Sequence, residues 1–190
     1  MSLAKTISLI ENYIPQDGFE IEAQKIFLEV LKNAKEKAFF RTSLLYHFSS
    51  SAIILSKDLK EILLAHHNIY NSYGWFGGHN DGNFDFLEVV KKEIREETGL
   101  ETFELYFESI ASLEILPVDN HLKRGNPVCS HTHLNVSYLF VADKNQPIRI
   151  KPDENSAIGW FKIEELDKIV REKTMLPIYH KIINRINKKI

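Results

Sequence analysis

One helix in this chain is punctuated at both ends by its own sequence, and the rest of the fold must be built to suit it. Asp85 can accept from the first free amides of a helix, Glu88 follows three residues later as in a capping box, and Gly99 stands where a left-handed terminator belongs. The spacing predicts a helix from about Phe86 to Thr98, with Leu87, Val90 and Ile94 as its apolar stripe. Glu93, Glu96 and Glu97 stand at i, i+3 and i+4, so they share one sector of the helix surface. Three carboxylates on one face repel one another unless something positive sits among them. Lys91, Lys92 and Arg95 relieve that repulsion if the face is merely solvated. A divalent cation relieves it if the face is a site, and Mg²⁺ suits hard oxygen ligands shared with phosphates and water.

The loop ahead of the helix favours the second reading. Gly74-Trp75-Phe76-Gly77-Gly78-His79-Asn80-Asp81-Gly82 carries a double glycine, which lets backbone groups approach a ligand closely, directly before the acidic helix. Around this centre the periodicity changes along the chain. The first forty residues read as helical, with Ile21, Phe27 or Leu28, Leu31, Ala34 and Ala38 recurring at helical spacing and a turn at Pro15 and Asp17-Gly18. Residues 51–55 and 61–66 read as a hairpin, 103–116 as one bent strand, and 133–141 as a strand with Leu134, Val136, Tyr138 and Phe140 on one face. A short strand at 157–161 and two closing helices at 163–172 and 177–188 complete the expectation.

Charge excludes one class of partner. With 24 Lys+Arg against 26 Asp+Glu the formal net charge is −2, which lacks the basic excess of a bulk nucleic-acid binder. The single cysteine, Cys129, rules out an internal disulfide and a multi-cysteine zinc site, so a reducing, cytoplasmic compartment is expected. No apolar run approaches the ~20 residues that span a bilayer, and no secretory leader or membrane partner is expected. A symmetric homodimer is the default assembly.

The segment 78–100, GHNDGNFDFLEVVKKEIREETGL, resembles the Nudix box, G-x5-E-x7-R-E-U-x-E-E-x-G-U with U aliphatic. Gly78, Glu93, Ile94, Glu96, Glu97, Gly99 and Leu100 match at the correct spacing. The preceding hairpin, the tryptophan and double glycine, and Asn155-Ser156-Ala157-Ile158-Gly159-Trp160-Phe161 before a helix agree as well. The resemblance implies an α/β (α+β) fold, an α/β/α sandwich around a mixed β-sheet, over residues 42–190. Residues 1–41 would be a helical extension packed on that domain. It implies a metal-dependent hydrolase of a diphosphate bond in a nucleoside diphosphate linked to another moiety. The Gly78 carbonyl, Glu93, Glu96 and Glu97 would hold Mg²⁺, or Mn²⁺, and a late-loop acid would serve as ligand or base, with Glu154 first and Asp153 second.

Two box positions depart from the pattern: the first glutamate falls on Phe84 and the arginine on Lys92. Phenylalanine accepts no charge-assisted hydrogen bond, and lysine is a poorer bidentate partner than arginine. Asp81 or Asp85 could replace the lost brace, or Phe84 could simply pack. A non-catalytic Nudix-fold binding module is therefore a second reading. Cys129-Ser130-His131 resembles a motif of isopentenyl-diphosphate isomerase, a third reading, although there it precedes the box. His131 and His133 project to one side of a strand and could contact phosphate or a metal, or be ordinary strand residues. His79, beside the glycines, is expected in the substrate pocket together with His131 and His133. Trp75 or Phe76 could stack on a nucleobase, Trp160 is expected in the core, and the polar loop 119–126 has basic residues suited to phosphate.

Overall fold

Ser2 and Asp17 each accept the backbone amide three residues on, from Lys5 and Glu20, and so start α1 (Leu3–Glu11) and α2 (Gly18–Asn33). A 3₁₀ turn, Lys35–Phe39, follows. The computed structural model describes residues 1–123 and 125–187. Arg124, in the expected polar loop, and Lys188, at the end of the expected last helix, lie outside the described residues. The class is the expected mixed α/β with a mixed sheet, and the chain gathers into two units.

The first unit takes residues 1–50, 78–89 and 112–137. Here α2 buries Glu20, Ala23, Phe27 and Leu31, while Ile21, expected in the stripe, is exposed. The buried row begins one residue earlier than the apolar pattern implied, because Glu20 is itself an inward residue. Its carboxylate accepts the Tyr13 hydroxyl at 2.6 Å, the Gln16 amide at 2.7 Å and the Ser112 hydroxyl at 2.9 Å, which meets the hydrogen-bond demand of burial. Phe39 lies 4.7 Å from Phe48, 4.8 Å from Phe84 and 5.8 Å from Phe86 between ring centroids, and Phe27 packs edge-on to Phe48 at 5.4 Å. Strand β1 (Tyr46–Ser56) begins in this unit, and β4 (Phe76–His79) pairs with it. Strand β6 (Ser112–Val118) runs antiparallel to the first half of β9 (His131–Ala142), Ser112 facing Ser137 and Val118 facing His131. The short hairpin β7 (His121–Lys123) and β8 (Asn126–Val128) lies between them in sequence.

The second unit takes residues 51–77, 90–111 and 138–190. Its strands follow the order β10-β2-β1-β9-β5, with β2 at Glu61–His67, β5 at Phe103–Leu105 and β10 at Asn155–Lys162; β3 (Ser72–Gly74) adds to β2. The hairpin was legible: Ile54 faces Leu63 and Leu55 faces Ile62. Ile53, Leu55, Ile62, Leu64, Leu139 and Tyr179 anchor the core of this unit. The single bent strand expected at 103–116 is two strands. β5 pairs with 140–142 and β6 with 131–137, and the segment 106–111 is too long to track the two β9 residues between those ladders. The helix expected at 163–172 is a 3₁₀ turn, Ile163–Glu165, and one turn of α-helix, α4 (Leu166–Ile169). It stops because Val170 is extended and the next two amides, of Arg171 and Glu172, donate to Ser72 Oγ at 2.9 and 3.4 Å. The last helix, α5 (Leu176–Asn184), ends in a 3₁₀ turn, Arg185–Asn187.

The punctuated helix, α3 (Phe86–Thr98), has the expected bounds. Asp85 accepts the Glu88 amide at 3.2 Å, and Gly99 has φ +72°, with Arg149 so close that a Cβ there would meet its Cγ at 2.8 Å. The buried residues are Phe86, Val89, Val90, Ile94, Glu97 and Thr98; Leu87, expected in the stripe, is only half-buried. No helix among the described residues is long and apolar enough to cross a membrane.

Phe39 sits at the centre of the first unit's aromatic cluster, so Phe39→Ala should cost about 3–5 kcal/mol of stability. Urea unfolding followed by circular dichroism measures this, and the midpoint should fall with little change in slope.

Candidate active site

Helix α3 presents its three glutamates to different surroundings. Glu97 is 5% exposed, Glu93 is mostly buried, and the Glu96 side chain is 43% exposed. The order follows from the helix: Glu97 continues the row of Val90 and Ile94, whereas Glu96 lies outside it. One Glu97 oxygen, Oε1, accepts the Gly77 amide at 3.1 Å, so the double-glycine segment is tied to the acidic helix by its backbone.

Electrostatics bring a fourth acid into the group. Glu154 lies on the turn 151–154 before β10, where its backbone amide donates to the Lys151 carbonyl and its own carbonyl accepts from Asn68. Its carboxylate pairs with Lys151 at 3.1 Å. Burial pushes the Glu97 carboxyl up to about 8; the Gly77 amide opposes this, while the charges of Glu93 and Glu154 reinforce it. Burial also raises Glu93, with Lys92 and Lys151 pulling it back and Glu96 and Glu154 pushing it further. For Lys151 burial works against the charge, but the bonded Glu154 carboxylate, with Glu93 and Glu97 beyond it, holds the ammonium above its ordinary range. Lys151 carried only one signal in the sequence, a cation three residues before the candidate base.

The two departures from the box pattern have clear structural roles. Lys92 Nζ lies 3.3 Å from Glu96 and 3.7 Å from Glu93, so it bridges two of the box acids as a point charge. Phe84 packs edge-on against Phe39, and its carbonyl accepts the Thr6 hydroxyl at 2.9 Å. Asp81, one candidate replacement for the lost brace, forms a bidentate pair with Arg41 at 2.8 and 2.6 Å, and Asp85, the other, caps α3. Packing is therefore the observed role of Phe84.

The remaining expected residues divide. Trp75 donates its backbone amide to the Tyr179 hydroxyl at 3.2 Å and sets its indole edge-on to that ring, at the margin of the second unit's core. Trp160 is half-buried, facing Leu63 across the ladder. His79, His131 and His133 turn toward one another in the first unit: His133 Nε2 lies 3.2 Å from His79 Nε2 and 3.2 Å from His131 Nε2. A fourth imidazole, His47, completes this group. It carried no local signal in the sequence, since its neighbours on β1 read as a buried strand. Cys129 is exposed, and its carbonyl accepts from His131 Nδ1 at 2.9 Å.

The donor chemistry of the acidic group is of the kind a hard divalent cation takes. Glu93, Glu96, Glu97 and Glu154 offer only carboxylate oxygens, and the cost of ionising Glu97 where it is buried is the cost a bound cation removes. The family model of the NUDIX domain matches residues 45–185. Among solved structures, the chain is similar to a C. elegans Ap4A hydrolase binary complex at 18% identity and a TM-score of 0.54, over 74% of this chain and 98% of that one. It is similar at 18% identity and a TM-score of 0.54 to the NUDIX domain of Shewanella oneidensis NrtR complexed with ADP ribose, over 83% and 97%. A NUDIX-family hydrolase from Clostridium perfringens is similar at 21% identity and a TM-score of 0.51, over 74% and 97%. These likenesses show the fold.

Without a cation, folded Glu97 keeps a proton that the unfolded chain releases above its ordinary range near 4.5. Below about pH 6.5 this is offset by His133, which burial pushes down to about 2 and which only the unfolded chain protonates, so stability in the presence of a chelator should fall as pH rises from about 6.5 to 8. The steepest loss is about 1.4 kcal/mol per pH unit. Glu97→Gln keeps the acceptor for Gly77 and removes the titration, so its urea midpoint should stay flatter over the same window.

Proposed function

Because this chain belongs to the Nudix family, we propose that it is a metal-dependent hydrolase of a diphosphate bond in a nucleoside diphosphate linked to another moiety, such as a nucleotide sugar. The observation that carries the reading is the buried Glu97 carboxyl, tied to Gly77 and within electrostatic reach of Glu93 and Glu154. Glu93, Glu96 and Glu97 would hold Mg²⁺ or Mn²⁺. When bound, that ion neutralises charge on the diphosphate and makes water more acidic.

The side chains have separate tasks in this proposal. Gly77 fixes one oxygen of Glu97 and leaves the other for the ion. Lys92 holds Glu93 and Glu96 on one side of the helix against their mutual repulsion. Glu154 acts as general base, and Lys151 orients it through the 3.1 Å pair. The water oxygen forms a new bond to phosphorus, its proton passes to the Glu154 carboxylate, and the bridging P–O bond breaks. The electron pair of that bond leaves with the second phosphate, so each product keeps at least one. The ADP ribose held by the NrtR domain is a molecule of this class, and the name Ap4A hydrolase indicates a nucleotide-type substrate, which supports the choice.

Incubation with ADP ribose, Ap4A and a nucleotide sugar should give Mg²⁺-dependent products that each retain phosphate. Glu154→Gln should lower kcat about 10²–10⁴-fold while leaving KM nearly unchanged. Tight binding of ADP ribose by the wild-type protein without any product would instead establish the non-catalytic binding module.

A further inference from the structure

The four histidines of the first unit lie outside the acidic group, and their arrangement has its own chemistry. His47 is on β1, His79 on β4, and His131 and His133 on β9, strands that are neighbours in the order β4-β1-β9. Adjacent strands are about 4.8 Å apart, and residues i and i+2 share a face, so this register gathers four imidazoles on one side of the sheet. Their ring centroids are 4.8–5.0 Å apart in five of the pairings.

Hydrogen bonds among the rings leave lone pairs unanswered. His47 Nδ1 lies 3.2 Å from the Ser43 carbonyl and His131 Nδ1 lies 2.9 Å from the Cys129 carbonyl. A carbonyl oxygen only accepts, so both rings carry their proton on Nδ1, and in the neutral ring Nε2 is a bare lone pair. His47 is 96% buried on its 4% exposure, and its Nε2 has no hydrogen-bond partner. His133 Nε2 sits 3.2 Å from both His79 Nε2 and His131 Nε2, yet one N–H can be donated to only one of them. Protonating His47 or His133 does not resolve the conflict. Burial, reinforced by the neighbouring histidines, pushes His133 down to about 2, and burial lowers His47 as well.

We infer that His47, His79, His131 and His133 form a binding site for a borderline divalent transition cation, Zn²⁺ in the first instance, separate from the carboxylate site. The four candidate ligand atoms all lie within 4.8 Å of one another. Four nitrogens about 2.0–2.1 Å from a tetrahedral Zn²⁺ are about 3.3 Å apart, close to the two separations of 3.2 Å already present. Closing the longer separations takes side-chain movements on the order of 1 Å. An all-imidazole set selects Zn²⁺, Co²⁺, Ni²⁺ or Cu²⁺ over Mg²⁺, which prefers oxygen and keeps its waters. The carbonyls of Ser43 and Cys129 orient two of the ligands, the outer-shell arrangement that metal-binding histidines require.

Four protein ligands close the coordination shell, so the site holds structure together and performs no hydrolysis of its own. It would join three strands, and because His79 follows Gly78 in the chain it would also fix the backbone entering the box helix. This inference does not rest on the hydrolase reading.

The test uses the full chain with any affinity tag removed, stripped by chelator, dialysed and shown by circular dichroism to be folded. One equivalent of Zn²⁺ should be retained after gel filtration, excess Mg²⁺ should not displace it, and Co²⁺ should give the intense visible bands of a tetrahedral nitrogen site. Glu97→Gln should bind Zn²⁺ as the wild type does. His131→Gln and His79→Gln, checked for folding separately, should each lose at least tenfold in Zn²⁺ affinity. No retained Zn²⁺ in the folded wild type, equal affinity in the folded histidine variants, or loss of the Co²⁺ bands in Glu97→Gln would overturn the assignment.

Discussion

The bond from the Gly77 amide to the buried carboxyl of Glu97 is the interaction on which the proposed centre depends. A glutamate on the inward row of a helix is costly unless something repays its desolvation, and here a backbone amide does so only in part. The remainder appears as a carboxyl raised to about 8. An acid kept in that condition beside Glu93 and Glu154 supports the proposed cation site, and the same condition makes the metal-free fold sensitive to pH. The box helix can tolerate the arrangement because its other inward residues, Phe86, Val90 and Ile94, are fully buried and apolar.

The departures from the family pattern illustrate how a local brace can be replaced. Lys92 reaches both Glu93 and Glu96 but offers no fork, so it neutralises more than it orients. Phe84 exchanges a polar contact for packing on Phe39, and that links the loop before α3 to the aromatic cluster of the N-terminal segment. Phe39 belongs to that segment, as does the Thr6 hydroxyl bonded to the Phe84 carbonyl. The first forty residues thus contribute directly to how the entrance to the box helix is held.

Local chemistry was legible and long-range register was not. Asp85, Glu88 and Gly99 announce α3 because capping depends on residues within one turn, and the bounds followed to the residue. The hairpin of β1 and β2 followed from two apolar runs and a four-residue turn. Ile21 and Leu87 misled because an apolar residue beside the buried row looks the same in sequence as one within it. The strand at 103–116 divided because its two halves pair with different stretches of β9, which no local pattern encodes. His47 was invisible for the same reason: it meets His131 and His133 across more than eighty residues, through strand pairing alone. Only the family resemblance points to Glu154, and its partner Lys151 is brought to it by the turn, which a sequence pattern does not encode.

If the acids around Glu97 make a hydrolytic centre, the oxygen of water must end on phosphorus. ADP ribose is turned over by the wild-type protein with Mg²⁺ in ¹⁸O-labelled water, and the products are weighed by mass spectrometry. One ¹⁸O atom should appear in the phosphate of a single product, with no product in the absence of the divalent cation. Recovery of intact, unlabelled ADP ribose, across the same substrate panel and with binding demonstrated, would contradict a hydrolytic centre.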